Sequence, residues 1–116
     1  MVRKMLAALI VIVPCLAGTA LARYGAIAYS ANTGRYGFSY DYYYLGDAEN
    51  DALANCDAPD AVVVAWCSNE WAALAVADDG SYGYSSGVTE AAAESAALSY
   101  CTGPNAHILC WVNSGD

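Results

Sequence analysis

Basic residues are scarce in this sequence, and their scarcity argues against several classes of function. The 116 residues include four Lys and Arg against twelve Asp and Glu, which gives a net charge of −8. Proteins that bind nucleic acids or anionic lipids need clustered Lys and Arg side chains to contact phosphates. We therefore expect no nucleic-acid partner and no surface for anionic lipids.

Histidine, the usual base near neutral pH, is also scarce. His107 is the single histidine, and it falls in an apolar run where a packed or rim residue is commoner than a catalytic base. The chain has no CxxC spacing for zinc, and we expect no serine nucleophile elbow. Glu90 and Glu94 fit an exposed helix face better than a glycosidase-type acid pair. We expect no enzyme, no cofactor and no metal site.

Residues 1–22 have the organisation of a cleavable signal peptide. Arg3 and Lys4 form a positive start, residues 5–16 are an apolar stretch, and residues 20–22 match a signal peptidase site. The apolar stretch is shorter than the ~20 residues that span a bilayer. We predict cleavage after residue 22, a secreted or periplasmic location, and no membrane anchor after cleavage. Two arginines then remain against twelve carboxylates, a net charge of −10.

Residues 23–116 form a single predicted domain that contains one pattern twice, over about 24–67 and 71–112. The sequence Gly-x-Tyr-Gly-x-Ser begins at Gly34 and at Gly80, and Ala-Glu-x-x-Ala-Leu-x-x-Cys begins at Ala48 and at Ala93. Each repeat reads strand, strand, helix, strand, and its helix presents one face of small apolar residues. A unit of this size buries little surface alone, so the two copies are expected to share one core.

This pattern predicts an α+β domain with two tandem strand-strand-helix-strand repeats. We expect one antiparallel-rich sheet of up to six strands, two short helices, and stabilisation by disulfides. The last strand of each repeat is a nearly continuous apolar run, which favours burial on both faces. Residues 68–70 are expected to link the repeats by a hairpin, Asp79-Gly80 marks another hairpin, and Thr89 is a candidate N-cap for the second helix.

Four cysteines remain after the signal, namely Cys56, Cys67, Cys101 and Cys110. An even number in a small exported domain favours oxidised pairs. Pairing within a repeat meets a distance objection, because six strand steps of ~3.3 Å separate the start of the last strand from Cys67. Pairing between repeats is preferred, either Cys56 with Cys101 and Cys67 with Cys110, or Cys56 with Cys110 and Cys67 with Cys101.

Several of these segments together point to a known family. They are the heptapeptide that begins at Tyr24, the Tyr-Gly-(Phe/Tyr)-Ser of both copies, the two helix sequences, and the hexapeptide that begins at Trp71. In this combination, residues 23–112 resemble the bacterial exported family of domain of unknown function 4189. The resemblance implies no reaction and no catalytic residues. Members of that family often carry a further cysteine in the loop after a helix, which residues 57–60 and 102–105 lack.

Aromatic side chains give the best functional lead. Four of them alternate along one predicted strand and so are expected on one face, and two tryptophans occupy equivalent places in the last strands. Tyr and Trp are favoured at interfaces because they combine a large apolar area with a polar tip. We therefore expect a non-enzymatic module that binds a protein partner, with a periplasmic inhibitor or immunity-type protein, or a passive envelope or extracellular structural domain, as alternatives. The candidate interaction surface is Tyr36, Phe38, Tyr40, Tyr42, Trp66 and Trp111.

Overall fold

A computed structural model describes residues 22–115. The predicted signal peptide lies almost wholly outside these residues and stays a prediction. Each half of the described chain contains two strands, a helix and a third strand, as the repeat predicts. The elements are β1 Tyr24–Tyr29, β2 Tyr36–Tyr42, α1 Leu45–Cys56, β3 Val62–Ser68, β4 Trp71–Val76, β5 Tyr82–Gly87, α2 Glu90–Tyr100 and β6 His107–Asn113.

The strands form two antiparallel sheets, not the single sheet expected from the sequence. Sheet order is β2-β1-β3 in the first half and β5-β4-β6 in the second. The expected hairpin at residues 68–70 is wrong, because β3 and β4 belong to different sheets and this segment passes from one sheet to the other. The hairpin at Asp79-Gly80 is confirmed, because β4 pairs with β5 and Gly80 has the positive φ of a tight turn, 88°.

The layers run helix, sheet, sheet, helix. Alanines on the outer faces of β1 and β4 contact the alanine-rich faces of α1 and α2, so each helix lies close to its own sheet. The inner faces pack against each other through a cluster that includes Ile27, Tyr29, Ala72 and Leu74. Both halves therefore contribute to one central core, and β1 and β4 are buried on both faces.

The last strands of the repeats are at sheet edges, contrary to the expected burial on both faces. β3 and β6 each pair with one strand only, and a register shift interrupts the pairing of each. Val62 is 53% exposed and Trp66 50%. An apolar run alone does not distinguish a central strand from an edge strand, whereas the alanines of β1 and β4 fit the narrow space beneath a helix.

The helices begin in different ways. Thr89 caps α2, and its side-chain oxygen accepts a hydrogen bond of 3.0 Å from the Ala92 backbone N–H, as the sequence predicts. Tyr44 stands at the equivalent place before α1 and makes no such bond. Among the described residues, neither helix is long and apolar enough to cross a membrane.

Candidate functional site

The aromatic residues of β2 divide between the two faces of the first sheet. Tyr36, Phe38 and Tyr40 point to the face opposite α1 and remain 39%, 41% and 55% exposed. Ser39 between them points toward α1, where its hydroxyl donates a hydrogen bond of 2.6 Å to the Ala48 carbonyl. We call Tyr36, Phe38 and Tyr40 the aromatic stripe.

A β-bulge places Tyr42 on the other face, although the alternation in the sequence predicts it in the same row. The bulge residue Asp41 has a φ of 63°, and its backbone N–H donates to the Ser114 hydroxyl at 2.9 Å. The Asp41 carboxylate in turn accepts the Gly115 N–H at 2.9 Å. Because the register shifts here, Tyr42 packs beside α1.

The two tryptophans are on the helix-facing sides of their sheets. Trp66 pairs with Ala26 of β1, and Trp111 pairs with Ala73 of β4. The side chain of Trp111 contacts Trp71, with ring centroids 5.2 Å apart. The opposite face of each last strand, which carries the strand cysteines and Ala65, meets the other sheet.

A groove where the two sheets meet brings three of the six candidate residues together. Phe38 and Tyr40 of β2 form one side, and Trp111, Val112 and Asn113 of β6 form the other, around a volume of about 370 Å³. The Phe38 and Tyr40 rings lie nearly parallel, with centroids 6.5 Å apart. Phe38 and Tyr40 thus share a groove with Trp111, although the ring of Trp111 lies on the helix-facing side of its own sheet.

An equivalent groove lies on the opposite side of the molecule. It has a volume of about 360 Å³ and includes Trp66 of β3 and Tyr84 of β5. Tyr84 occupies the repeat position of Phe38, and its ring lies nearly parallel to that of Tyr82, with centroids 6.4 Å apart. Sequence reasoning missed both tyrosines, although the repeat alignment contained the signal.

A third groove follows the open edge of β2 and has α1 as its wall. The groove has a volume of about 610 Å³, and Asp51 and Asn55 line it beside the aromatic stripe. The Asn55 side-chain amide donates to the Phe38 carbonyl at 3.0 Å. A hydrogen bond from the Tyr42 hydroxyl to the Asp51 carboxylate raises the pKa of Tyr42. The sequence alone does not place these two helix residues beside β2, because their position depends on how α1 lies on the sheet.

The four cysteines of the described chain are free and buried, so the structure does not show the predicted disulfides. Cys56 lies between α1 and its sheet, Cys101 lies between α2 and its sheet, and both strand cysteines are in the central core. Cys67 on β3 and Cys110 on β6 are on strands that flank opposite sides of the sheet stack. No two of these thiols lie within bonding distance.

Burial controls the protonation of the strand thiols. It raises the pKa of Cys67 to about 11 and that of Cys110 to about 12. Both therefore stay protonated near neutral pH, and a neutral thiol is a poor nucleophile. These side chains act as small apolar residues of the core.

The acidic and histidine candidates are at the surface. His107 is exposed at the start of β6, and its Nδ1 is 3.0 Å from the Asn105 carbonyl oxygen in the preceding loop. Partial desolvation, followed by the hydrogen bond and the charge of Glu90, raises the pKa of Glu94. Asp79 accepts hydrogen bonds from the backbone and hydroxyl of Ser81, which lower its pKa and stabilise the turn. The hydrogen bonds of His107 and Asp79 are thus local contacts of surface side chains.

The sequence contains one GxSxG spacing, the pattern of a serine nucleophile elbow, although no such elbow was expected. In the structure, this segment does not form an elbow. Gly83, Ser85 and Gly87 have the GxSxG spacing. A nucleophile elbow needs a sharp turn between a strand and a helix. Here the segment is part of the extended strand β5, and the Ser85 hydroxyl donates to the Ser86 carbonyl at 3.3 Å. Within residues 22–115, no three His, Cys, Asp or Glu side chains form a group that could hold a metal ion.

Comparisons with known proteins identify a family and add no relative of known activity. A search of curated proteins and a search of solved structures each give no significant match. The sequence model of the domain of unknown function DUF4189 matches residues 24–113, which include every strand and both helices. The chain therefore belongs to the DUF4189 family, as the resemblance of its repeats indicated.

Proposed function

We propose that this chain is an exported, non-enzymatic module that binds a protein partner through the aromatic stripe. The observation that carries this proposal is the exposure of Tyr36, Phe38 and Tyr40 on an unpaired strand edge, beside Trp111. Aromatic side chains commonly supply much of the buried area of a core. Here alanines fill much of the core, and most of the large rings are at the surface.

The chemistry of this surface fits a protein better than a small polar ligand. Aromatic residues supply much of the binding energy of protein interfaces, because they bury a large area at a low cost in side-chain entropy. The groove between β2 and β6 has Phe38, Tyr40 and Val112 among its residues. Contiguous exposed apolar surfaces are typical of sites of protein contact.

Export is the second part of the proposal and rests on the sequence of residues 1–22. Mass spectrometry of the protein recovered outside the cytoplasm should find Arg23 as the N-terminal residue. Recovery of the intact chain from the cytoplasm alone would contradict export.

A capture experiment with matched variants tests the binding function. The immobilised protein is exposed to the envelope fraction and culture fluid of the cell that produces it, beside Tyr40→Ser and Tyr100→Ser. Tyr100 is a suitable control because it is an exposed tyrosine on α2, outside the aromatic stripe. We expect a stoichiometric partner that Tyr40→Ser loses and Tyr100→Ser keeps. Absence of a partner for the wild type, or equal capture by all three proteins, would contradict the proposal.

A further inference from the structure

The open edge of β2 presents backbone groups to a partner. Ser30 donates its N–H to the Arg35 carbonyl, which begins the bonded register between β1 and β2. In an antiparallel pair the bonded residues alternate, so the peptide groups of Tyr36, Phe38 and Tyr40 point away from β1. The Asn55 amide already meets the Phe38 carbonyl from that side. The remaining outward groups provide the ladder that an added strand requires.

The wall of this edge groove is acidic. Asp51 and Asn55 stand one helical turn apart on α1 and face β2, and Asp47 lies one turn earlier. Both carboxylates act on the Tyr42 hydroxyl, Asp51 through a hydrogen bond and through its charge, and Asp47 through its charge alone. A strand added beside β2 would therefore have the aromatic stripe next to one of its faces and the carboxylates of α1 next to its other face.

The second half of the molecule offers a comparison within the same chain. Its equivalent edge strand, β5, also carries two exposed tyrosines. The repeat positions of Asp47, Asp51 and Asn55 are there Ala92, Ala96 and Tyr100. The groove beside β5 has Tyr82, Tyr84 and Tyr100 as its side chains, without a carboxylate. Two edges at equivalent places of the repeat therefore differ in charge.

We propose that the edge groove of β2 binds an extended, basic segment of a partner protein, which pairs with β2 as an additional strand. Side chains alternate along a strand, so a segment in which basic and apolar residues alternate would place its apolar side chains on the aromatic stripe. Its Lys or Arg side chains would then face Asp51. This inference depends on the protein-binding function proposed above and specifies the partner and the mode of binding.

The charge of the protein favours a basic partner over a second copy. Residues 23–116 contain twelve carboxylates and two arginines. Two copies that joined through the β2 edges would bring the Asp51 carboxylates together, which is unfavourable. A cationic segment gains attraction from the same groups, and this attraction weakens with added salt.

The test uses a short synthetic peptide in which lysine alternates with valine, and a second peptide in which glutamate replaces lysine. Calorimetry with the purified protein should detect binding of the lysine peptide alone. Hydrogen exchange should show new protection of the Tyr36 and Phe38 amides and none of the Tyr82 and Tyr84 amides. Asp51→Asn should weaken binding about threefold, which is typical of a partly exposed ion pair.

Glu94→Gln is the matched control, because it removes one negative charge from α2 and leaves the β2 edge intact. We expect this variant to bind the lysine peptide as the wild type does. The inference is overturned if the lysine peptide fails to bind, if the glutamate peptide binds equally, or if the protection falls on β5. Capture of a natural partner that depends on Tyr40 would remain possible after each of these results. Failure of this inference is therefore distinguishable from failure of the proposed function.

Discussion

Replacement of Gly37 by alanine should destabilise the domain, because this glycine sets the distance between β2 and α1. A Cβ atom at this position would lie 2.6 Å from the Asn55 carbonyl carbon, and closer still to the Cys56 nitrogen and the Ala52 oxygen. All three are backbone atoms, so no side-chain rotation relieves the overlap. The helix would have to move away from the sheet, which separates its alanine face from β1.

The expected change in the free energy of unfolding is the sum of two opposing effects. Insertion of an extra carbon into a close-packed contact costs about 3 kcal/mol at the upper end of the usual range, which fits a clash with the backbone. Replacement of glycine also reduces the conformational entropy of the unfolded chain, which stabilises the folded state by about 0.5 to 1 kcal/mol. We therefore expect Gly37→Ala to lower the free energy of unfolding by about 2 kcal/mol, which is roughly 10 °C in the melting temperature of a domain of this size.

Urea denaturation followed by circular dichroism measures the change, and two further variants are informative. Gly83→Ala should cost a similar amount, because a Cβ there would lie 2.6 Å from the Cys101 nitrogen and closer to the Ala97 oxygen. Gly46→Ala in α1 meets nothing within 4 Å and should stabilise the domain by up to about 1 kcal/mol. If Gly37→Ala and Gly46→Ala changed stability alike, close helix packing at Gly37 would be refuted.

Three further outcomes are expected. Thr89→Ala should lower the free energy of unfolding by about 1 kcal/mol in urea denaturation, because it removes the α2 cap; an unchanged midpoint would contradict the cap. Ser114→Ala should cost about 1 to 2 kcal/mol and increase hydrogen exchange at the Asp41 amide, which loses its buried acceptor; unchanged exchange would contradict the role of Ser114 in the bulge. Burial raises the pKa of Cys67 to about 11 and that of Cys110 to about 12, from an ordinary value of 9.0, so the folded chain keeps protons that the unfolded chain loses above that value. Stability should therefore decrease from about pH 9 upward, and Cys110→Val should make the decrease about 1.4 kcal/mol per pH unit shallower; equal slopes would contradict a buried, reduced Cys110.

The local chemistry of the sequence predicted much of the fold. Helix spacing located both helices, Asp79-Gly80 located a hairpin, and Thr89 located a cap, because each signal acts within a few residues of the chain. The internal repeat also predicted the same element order in both halves. These features depend on short-range geometry, which a single sequence contains.

The features that the sequence did not predict depend on contacts between distant residues. The Asp41 bulge is held by Ser114 and Gly115, which are more than seventy positions away, and it alone separates Tyr42 from the aromatic stripe. The division into two sheets likewise depends on which face of β1 meets β4. The disulfide prediction rested on the number of cysteines, whereas their distribution over three packing clusters depends on the layer order.

The short connection between β3 and β4 makes the molecule equivalent to a dimer whose two subunits have been fused into one chain. In a dimer of identical chains, every substitution appears in both subunits at once. Fusion removes that constraint, so one half can change while the other keeps its original residue. The carboxylates beside β2 and the alanines beside β5 illustrate this freedom. A fold built from two equal parts can therefore offer two edges with different specificities.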